Sequence, residues 1–170
     1  WMSDGIDMQT SGKGGFGKAL GRMLSGESFF MTTSTCQAPE GMITFTPESP
    51  GKVLPLNLKA GHSMICQKDA FMCAEESVDL SMHFRKRLGA GLFGGEGFIM
   101  QKLEGDGLSF LHAGGTVTRK ELAIGETLRV DTGCLVGFTQ DVDYDIEMVR
   151  GVRNAIFGGE GPFYARLQGP

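Results

Sequence analysis

Apolar and polar residues alternate with a period of two along Val78-Asp-Leu-Ser-Met-His-Phe84 and again along Val142-Asp-Tyr-Asp-Ile-Glu-Met148. In an extended chain successive side chains point to opposite faces, so each stretch predicts a strand with one face on a core. In the second stretch Val142, Tyr144, Ile146 and Met148 are expected inward, and Asp143, Asp145 and Glu147 outward. A one-residue slip would bury the carboxylates at a cost of several kcal/mol each. Gly5-Ile-Asp-Met8 carries a weaker version of the pattern. Further short strands are predicted at residues 29–33, 42–46, 53–58, 63–67, 98–103, 108–112, 126–130 and 135–139. Many short strands punctuated by turn residues predict an all-β sandwich or barrel.

The pattern repeats. Met23-Leu-Ser-Gly-Glu-Ser-Phe-Phe30, Leu92-Phe-Gly-Gly-Glu-Gly-Phe-Ile99 and Ile156-Phe-Gly-Gly-Glu-Gly-Pro-Phe163 align without gaps, at spacings of 69 (92 − 23) and 64 (156 − 92). Leu58-Lys-Ala-Gly-His-Ser-Met64 matches Leu122-Ala-Ile-Gly-Glu-Thr-Leu128, again 64 apart (122 − 58). Self-similarity at a fixed period marks an architectural unit. Three copies are expected within one β domain covering residues 1–170: a partial first over about 1–57, a second over 58–121 and a partial third over 122–170. Because the first copy starts abruptly and the third stops early, the chain reads as a window on a longer protein. Between the alternating strand and the Gly-Glu element, residues 18–24, 84–88 and 149–155 are basic and helix-compatible, and single helical turns or tight connectors are expected there. The paired glycines Gly94 with Gly95 and Gly158 with Gly159 are expected to place at least one positive φ in a tight turn.

Composition narrows the functions. A chain of 170 residues is long enough to bury a full core without a staple. Its net charge of −4 argues against nucleic acid, whose phosphates are held by clustered Lys and Arg. No apolar run approaches the roughly 20 residues of a membrane-spanning helix. Cys36, Cys66, Cys73 and Cys134 form no C-x-x-C pair and read as reduced thiols in a cytosol. Glycine, at 27 residues, is present at roughly twice its usual share of about 7%, and it recurs at the repeat junctions.

Trp1-Met-Ser-Asp-Gly-Ile6, Leu20-Gly-Arg-Met-Leu-Ser-Gly-Glu27, Ile65-Cys-Gln-Lys68, Leu92-Phe-Gly-Gly-Glu-Gly-Phe98 and Val142-Asp-Tyr-Asp-Ile-Glu-Met148 resemble the altered inheritance of mitochondria 24 family, over essentially the whole chain. That is a largely bacterial group with a mitochondrial member. The resemblance implies a fold like that of the tryptophan RNA-binding attenuator protein, a shortened double-stranded β-helix in triplicate. It implies no catalytic residues. Ser25 and Ser28 depart from the Gly-Glu-Gly pattern in the first copy.

Each chemical motif has a plainer reading. Gly12-Lys-Gly-Gly-Phe-Gly-Lys18 has the glycines and lysine of a phosphate loop, but Ala19 stands where a hydroxyl must hold magnesium. Gly89-Ala-Gly-Leu-Phe-Gly94 fits a dinucleotide fingerprint without the strand–helix–strand unit that the site requires. Glu27, Glu96 and Glu160 recur in all three copies. They are expected to accept N–H groups of their own glycine turns or to pair with Arg22, Arg87 and Arg153, rather than to converge on a cation. Asp141, Asp143, Asp145 and Glu147 line one strand face, whereas calcium ligands come from a loop that wraps the ion. His62, His83 and His112 show no metal-ligand spacing, and Cys66 with His62 lacks an orienting third group.

No catalytic, cofactor-binding or metal-binding residue is therefore expected. The sequence reads as a non-enzymatic structural or interaction module in the bacterial cytoplasm, forming a homo-oligomer with room for an unidentified protein partner. The alternative is a small-ligand binder using a cleft between repeats or subunits.

Overall fold

The structure, a computed structural model, describes residues 1–12, 30–86, 98–148 and 163–170. Its secondary structure there is all β: twelve strands and two single 3₁₀ turns, with no α-helix among the described residues. The strands form four sheets, none of which closes on itself.

The chain divides into two compact units, Trp1–Thr46 and Pro47–Pro170. In the first, β1 (Ile6–Gly12) and β2 (Phe30–Cys36) form an antiparallel pair from Ile6↔Cys36 to Gly12↔Phe30. The segment expected as a strand at 42–46 contributes only an isolated bridge, Ile43 with Met2. Backbone bonds from Ser3 to Met42 and from Thr44 to Trp1 hold it (2.8 and 2.9 Å).

The second unit contains three sheets. One has the order β3 (Gly51–Leu58), β8 (Gly107–Gly114), β5 (Phe71–Ala74). Another runs β10 (Gly137–Thr139), β4 (Ser63–Gln67), β7 (Phe98–Gly105), β6 (Val78–Lys86). The last is β9 (Thr127–Asp131), β12 (Phe163–Gln168), β11 (Asp143–Met148). All pairings are antiparallel.

Cross-strand register shows which faces meet, since paired residues share a face. On β4 and β7, Met64 pairs Leu103 and Cys66 pairs Gln101 on one side, while Ile65 pairs Lys102 and Gln67 pairs Met100 on the other. The first side joins Leu54, Leu56, Leu58 and Leu111 of the β3–β8 sheet in one apolar cluster. The second side, with Ile65, Phe98 and Met100, joins Ile146, Ala165 and Leu167 of the β9–β12–β11 sheet. The middle sheet is thus covered on both faces. Met100 and Leu103, on opposite faces of β7, are each 0% exposed. Full burial of such side chains stabilises by about 1.5–3 kcal/mol each.

Two three-stranded sets share one register. β4 pairs β7 from Ser63↔Glu104 to Gln67↔Met100, and β9 pairs β12 from Thr127↔Gln168 to Asp131↔Tyr164, every partner displaced by 64 (127 − 63 and 168 − 104). The pairs Asp79↔Glu104 to Met82↔Gln101 match Asp143↔Gln168 to Ile146↔Ala165 at the same displacement (143 − 79). A bulge after Met82 then ends the match. The 3₁₀ turns Lys68–Ala70 and Thr132–Cys134 also stand 64 apart (132 − 68).

The expected orientation of the 142–148 strand holds where it is described. Ile146 is buried, Val142 and Tyr144 pack on the core, and Asp143 and Asp145 are exposed. Glu147 is half-buried beside two arginines. One expectation is corrected: Phe84–Lys86 is not a helical turn but the end of β6, its backbone paired with Met100, Ile99 and Phe98. The basic side chains that suggested a helix are equally compatible with a sheet's edge strand. The other two helix-compatible stretches, 18–24 and 149–155, and Gly94, Gly95, Gly158 and Gly159 lie outside the described residues.

Positive φ occurs at equivalent places elsewhere. Gly61 (φ 82°) and Gly125 (φ 70°) each precede the residue whose N–H closes a four-residue turn, His62 to Lys59 O and Glu126 to Ala123 O, both 2.9 Å. Space is open around both glycines, so a Cβ there meets only the left-handed backbone penalty. Gly125→Ala should cost about 1 kcal/mol, read as a lower denaturant midpoint, whereas Gly114→Ala, exposed and without a positive φ, should leave the midpoint unchanged or slightly raised.

Gln101 is 3% exposed and its Oε1 has no hydrogen-bond partner among the described residues. Its counterpart at the 64-residue displacement is Ala165, wholly apolar. An orphaned buried acceptor costs about 1–3 kcal/mol. Gln101→Met should therefore stabilise the fold in chemical denaturation; a loss of stability would mean that the amide is paired.

Candidate functional site

The groups singled out by sequence do not gather into one place among the described residues. Among the described residues no three His, Cys, Asp or Glu side chains could share a metal ion. His62 lies exposed in the turn before β4, whereas Cys66 is fully buried between two sheets. Burial pushes the Cys66 thiol up to about 12, so it stays protonated at neutral pH and is a poor nucleophile. Burial raises the Cys73 thiol as well. All four cysteines are free. His83 is exposed with its ring 5.9 Å from that of Tyr144. Burial first, then the charge of Asp145, raises the Tyr144 phenol. His112 is half-buried with its Nε2 unpartnered among the described residues. Glu27, Glu96, Glu160, Arg22, Arg87, Arg153, the lysines of the 12–18 motif and the 89–94 fingerprint lie outside the described residues.

Asp141 sits in an exposed turn. Asp143 and Asp145 accept the N–H of the residue that follows each, at 3.0 and 2.7 Å. Glu147 instead crosses the sheet. Arg129 on β9 donates through Nε to Glu147 Oε2 at 3.1 Å, and Arg166 on β12 brings Nε within 3.9 Å of Oε1. Arg166 also donates to Gln168 Oε1 at 3.0 Å. The acidic strand face is thus partly neutralised by cross-strand cations. Sequence spacing alone gave no sign of these partners, which are 18 and 19 positions from Glu147 (147 − 129 and 166 − 147).

A second polar cluster braces the 123–126 turn. Lys120 Nζ lies 2.8 Å from Glu126 Oε1, and the Ala123 N–H donates to Oε2 at 2.9 Å. The Lys120 bond, then the Ala123 N–H, hold the Glu126 carboxyl below the usual range.

The exposed surface of the β3–β8–β5 sheet is different. Val53 pairs His112, Pro55 pairs Phe110 and Asn57 pairs Leu108, all facing away from the leucine core. Cys73 pairs Phe110 on the same face. Val53 is 47% and Leu108 38% exposed. No Asp, Glu, Lys or Arg stands at these positions. The signal was present in Val53-Leu-Pro-Leu-Asn-Leu58, which is apolar at both parities where a strand with one wet face would alternate.

The family model described as Mitochondrial biogenesis AIM24 matches residues 1–170. An uncharacterised protein of Streptococcus pyogenes serotype M6 is 34% identical over 164 residues, which cover 92% of this chain and 64% of that protein's length. A crystal structure of a Streptococcus pyogenes protein is similar at a TM-score of 0.78 and 25% identity, over 99% of this chain and 74% of that one. Neither relative has a name that states an activity. No helix among the described residues is long and apolar enough to cross a membrane.

Because the folded Glu126 carboxyl titrates below its unfolded value, its contribution to stability is complete above the ordinary carboxylate range and is lost as pH falls through the folded value. Glu126→Gln should lower the melting temperature near pH 7 and make no difference by about pH 3, in a series of thermal melts against pH.

Proposed function

This chain belongs to the Mitochondrial biogenesis AIM24 family, and from that premise we propose that it works as a non-enzymatic interaction module that self-associates through a β face. The observation that carries the reading is the uncharged apolar strip Val53, Pro55, Phe110 and Leu108 on the outside of the β3–β8–β5 sheet. A second copy is the occupant. In an isologous contact the same patch meets itself, and an uncharged patch does so without like-charge repulsion.

Pro55 determines the mode. It stands in β3, which pairs only with β8, and a proline in an edge strand removes a donor from the open edge. Edge-to-edge extension is disfavoured there, which leaves contact through the face. The ordinary, unpaired cysteines support a reducing compartment, the bacterial cytoplasm. The 64-residue register match supports two copies of one β unit within residues 63–168, part of the about three that the attenuator-like fold implies.

Sedimentation velocity of the whole chain over a concentration series tests this. The wild type should exceed the monomer mass, and Val53→Asp with Leu108→Asp should raise the dissociation constant by at least about a hundredfold, because each carboxylate would be desolvated in the contact. A wild type that is monomeric at every concentration would end this reading.

A further inference from the structure

We propose that the outer face of the β9–β12–β11 sheet is a built cap: it ends a stack of equivalent sheets and refuses a further β layer, including that of a second copy. The inference stands on pairing register and side-chain chemistry, and it holds whether or not the chain self-associates through its other end.

The equivalent sets, β4–β7–β6 and β9–β12–β11, each have a front face and a back face. Most front positions keep their character across the 64-residue displacement, Met64 and Leu128, Cys66 and Val130, Leu80 and Tyr144, Leu103 and Leu167, with Gln101 and Ala165 the exception. Each front is used in the same way, packed against a neighbouring sheet. The front of the last sheet covers the back of the middle one, where Ile65 and Met100 are buried.

Several back positions do not keep their character. Where the covered sheet has Ile65, the last sheet has Arg129, and where it has Met100, the last has Tyr164. Ser81 becomes Asp145, whereas Lys102 stays cationic as Arg166. The Arg129 side chain is 65% exposed and bonded to Glu147, which Arg166 also approaches. Laying an apolar front on this face would strip water from two guanidiniums and at least two carboxylates while pairing none of them anew, a cost that exceeds what the ion pairs return. Stacked-repeat proteins need a polar terminal face for the same reason. The replacement of covered apolar residues by charged or polar ones falls on the back face, against which no other sheet of the second unit packs among the described residues.

Transplanting the covered sheet's residues tests the cap. Arg129→Ile with Tyr164→Met in the whole chain should gain self-association, with an apparent dissociation constant at least tenfold below that of the wild type by sedimentation velocity, while circular dichroism keeps the β spectrum. Should the double variant not fold, Tyr164→Met alone should show the same shift at about threefold, since it replaces the phenol with the apolar thioether chain of the covered sheet and introduces no charge. Arg129→Glu with Arg166→Glu should leave the wild-type assembly state within twofold. A folded transplant that associates no better than the wild type overturns the cap. So does dissociation of a wild-type oligomer by the charge reversal, which would make this face an interface already.

Discussion

The second unit depends on one strand buried from both sides. β7 carries Phe98 and Met100 on one face and Leu103 and Gln101 on the other, all within the interior. A strand alternates its side chains across a thin sheet, so a strand apolar at both parities cannot be satisfied by one covering layer. It needs two. The β3–β8–β5 sheet supplies one and the β9–β12–β11 sheet the other, and the outward faces of those two covers are then the surfaces left for water or for a partner.

Two-sided burial also explains which parts of the fold were legible in the sequence. The strand at 142–148 was plain because one of its faces is wet, so that valine, tyrosine and isoleucine alternate with acids. β5 was not foreseen: Phe71-Met-Cys-Ala74 has no alternation, and all four residues are half-buried. Arg85 and Lys86 looked helical because local composition carries no information about pairing with Ile99 and Phe98. The strand expected at 42–46 shrank to one bridge, since a run of suitable residues still needs a neighbour to pair with. The repeat was visible at the residues that turn and face inward, and silent where back faces diverged.

The surfaces were harder to read than the core for the same reason. Arg129, Glu147 and Arg166 meet only because three strands are held in one register, and no linear motif encodes that meeting. The apolar strip on β3 was encoded locally, yet its leucines and its valine and proline look alike until pairing separates those facing Leu111 from those facing out.

The two outward faces follow from the displacement that relates the sheets. Front residues are constrained twice, by their own sheet and by the layer they pack against, so most of the same apolar set recurs 64 positions on, Gln101 against Ala165 excepted. A back residue is constrained only if something covers it. Ile65 and Met100 are covered and apolar; Arg129 and Tyr164 are uncovered, one cationic and the other half-exposed. Two sheets in one register can therefore give the second unit outward faces that differ in chemistry, one charged and internally paired, the other uncharged and apolar. In the self-association proposed above, such a difference would give the assembly a direction: contact through the apolar face would leave the charged faces outward, and the complex would close at two copies instead of growing as a fibre.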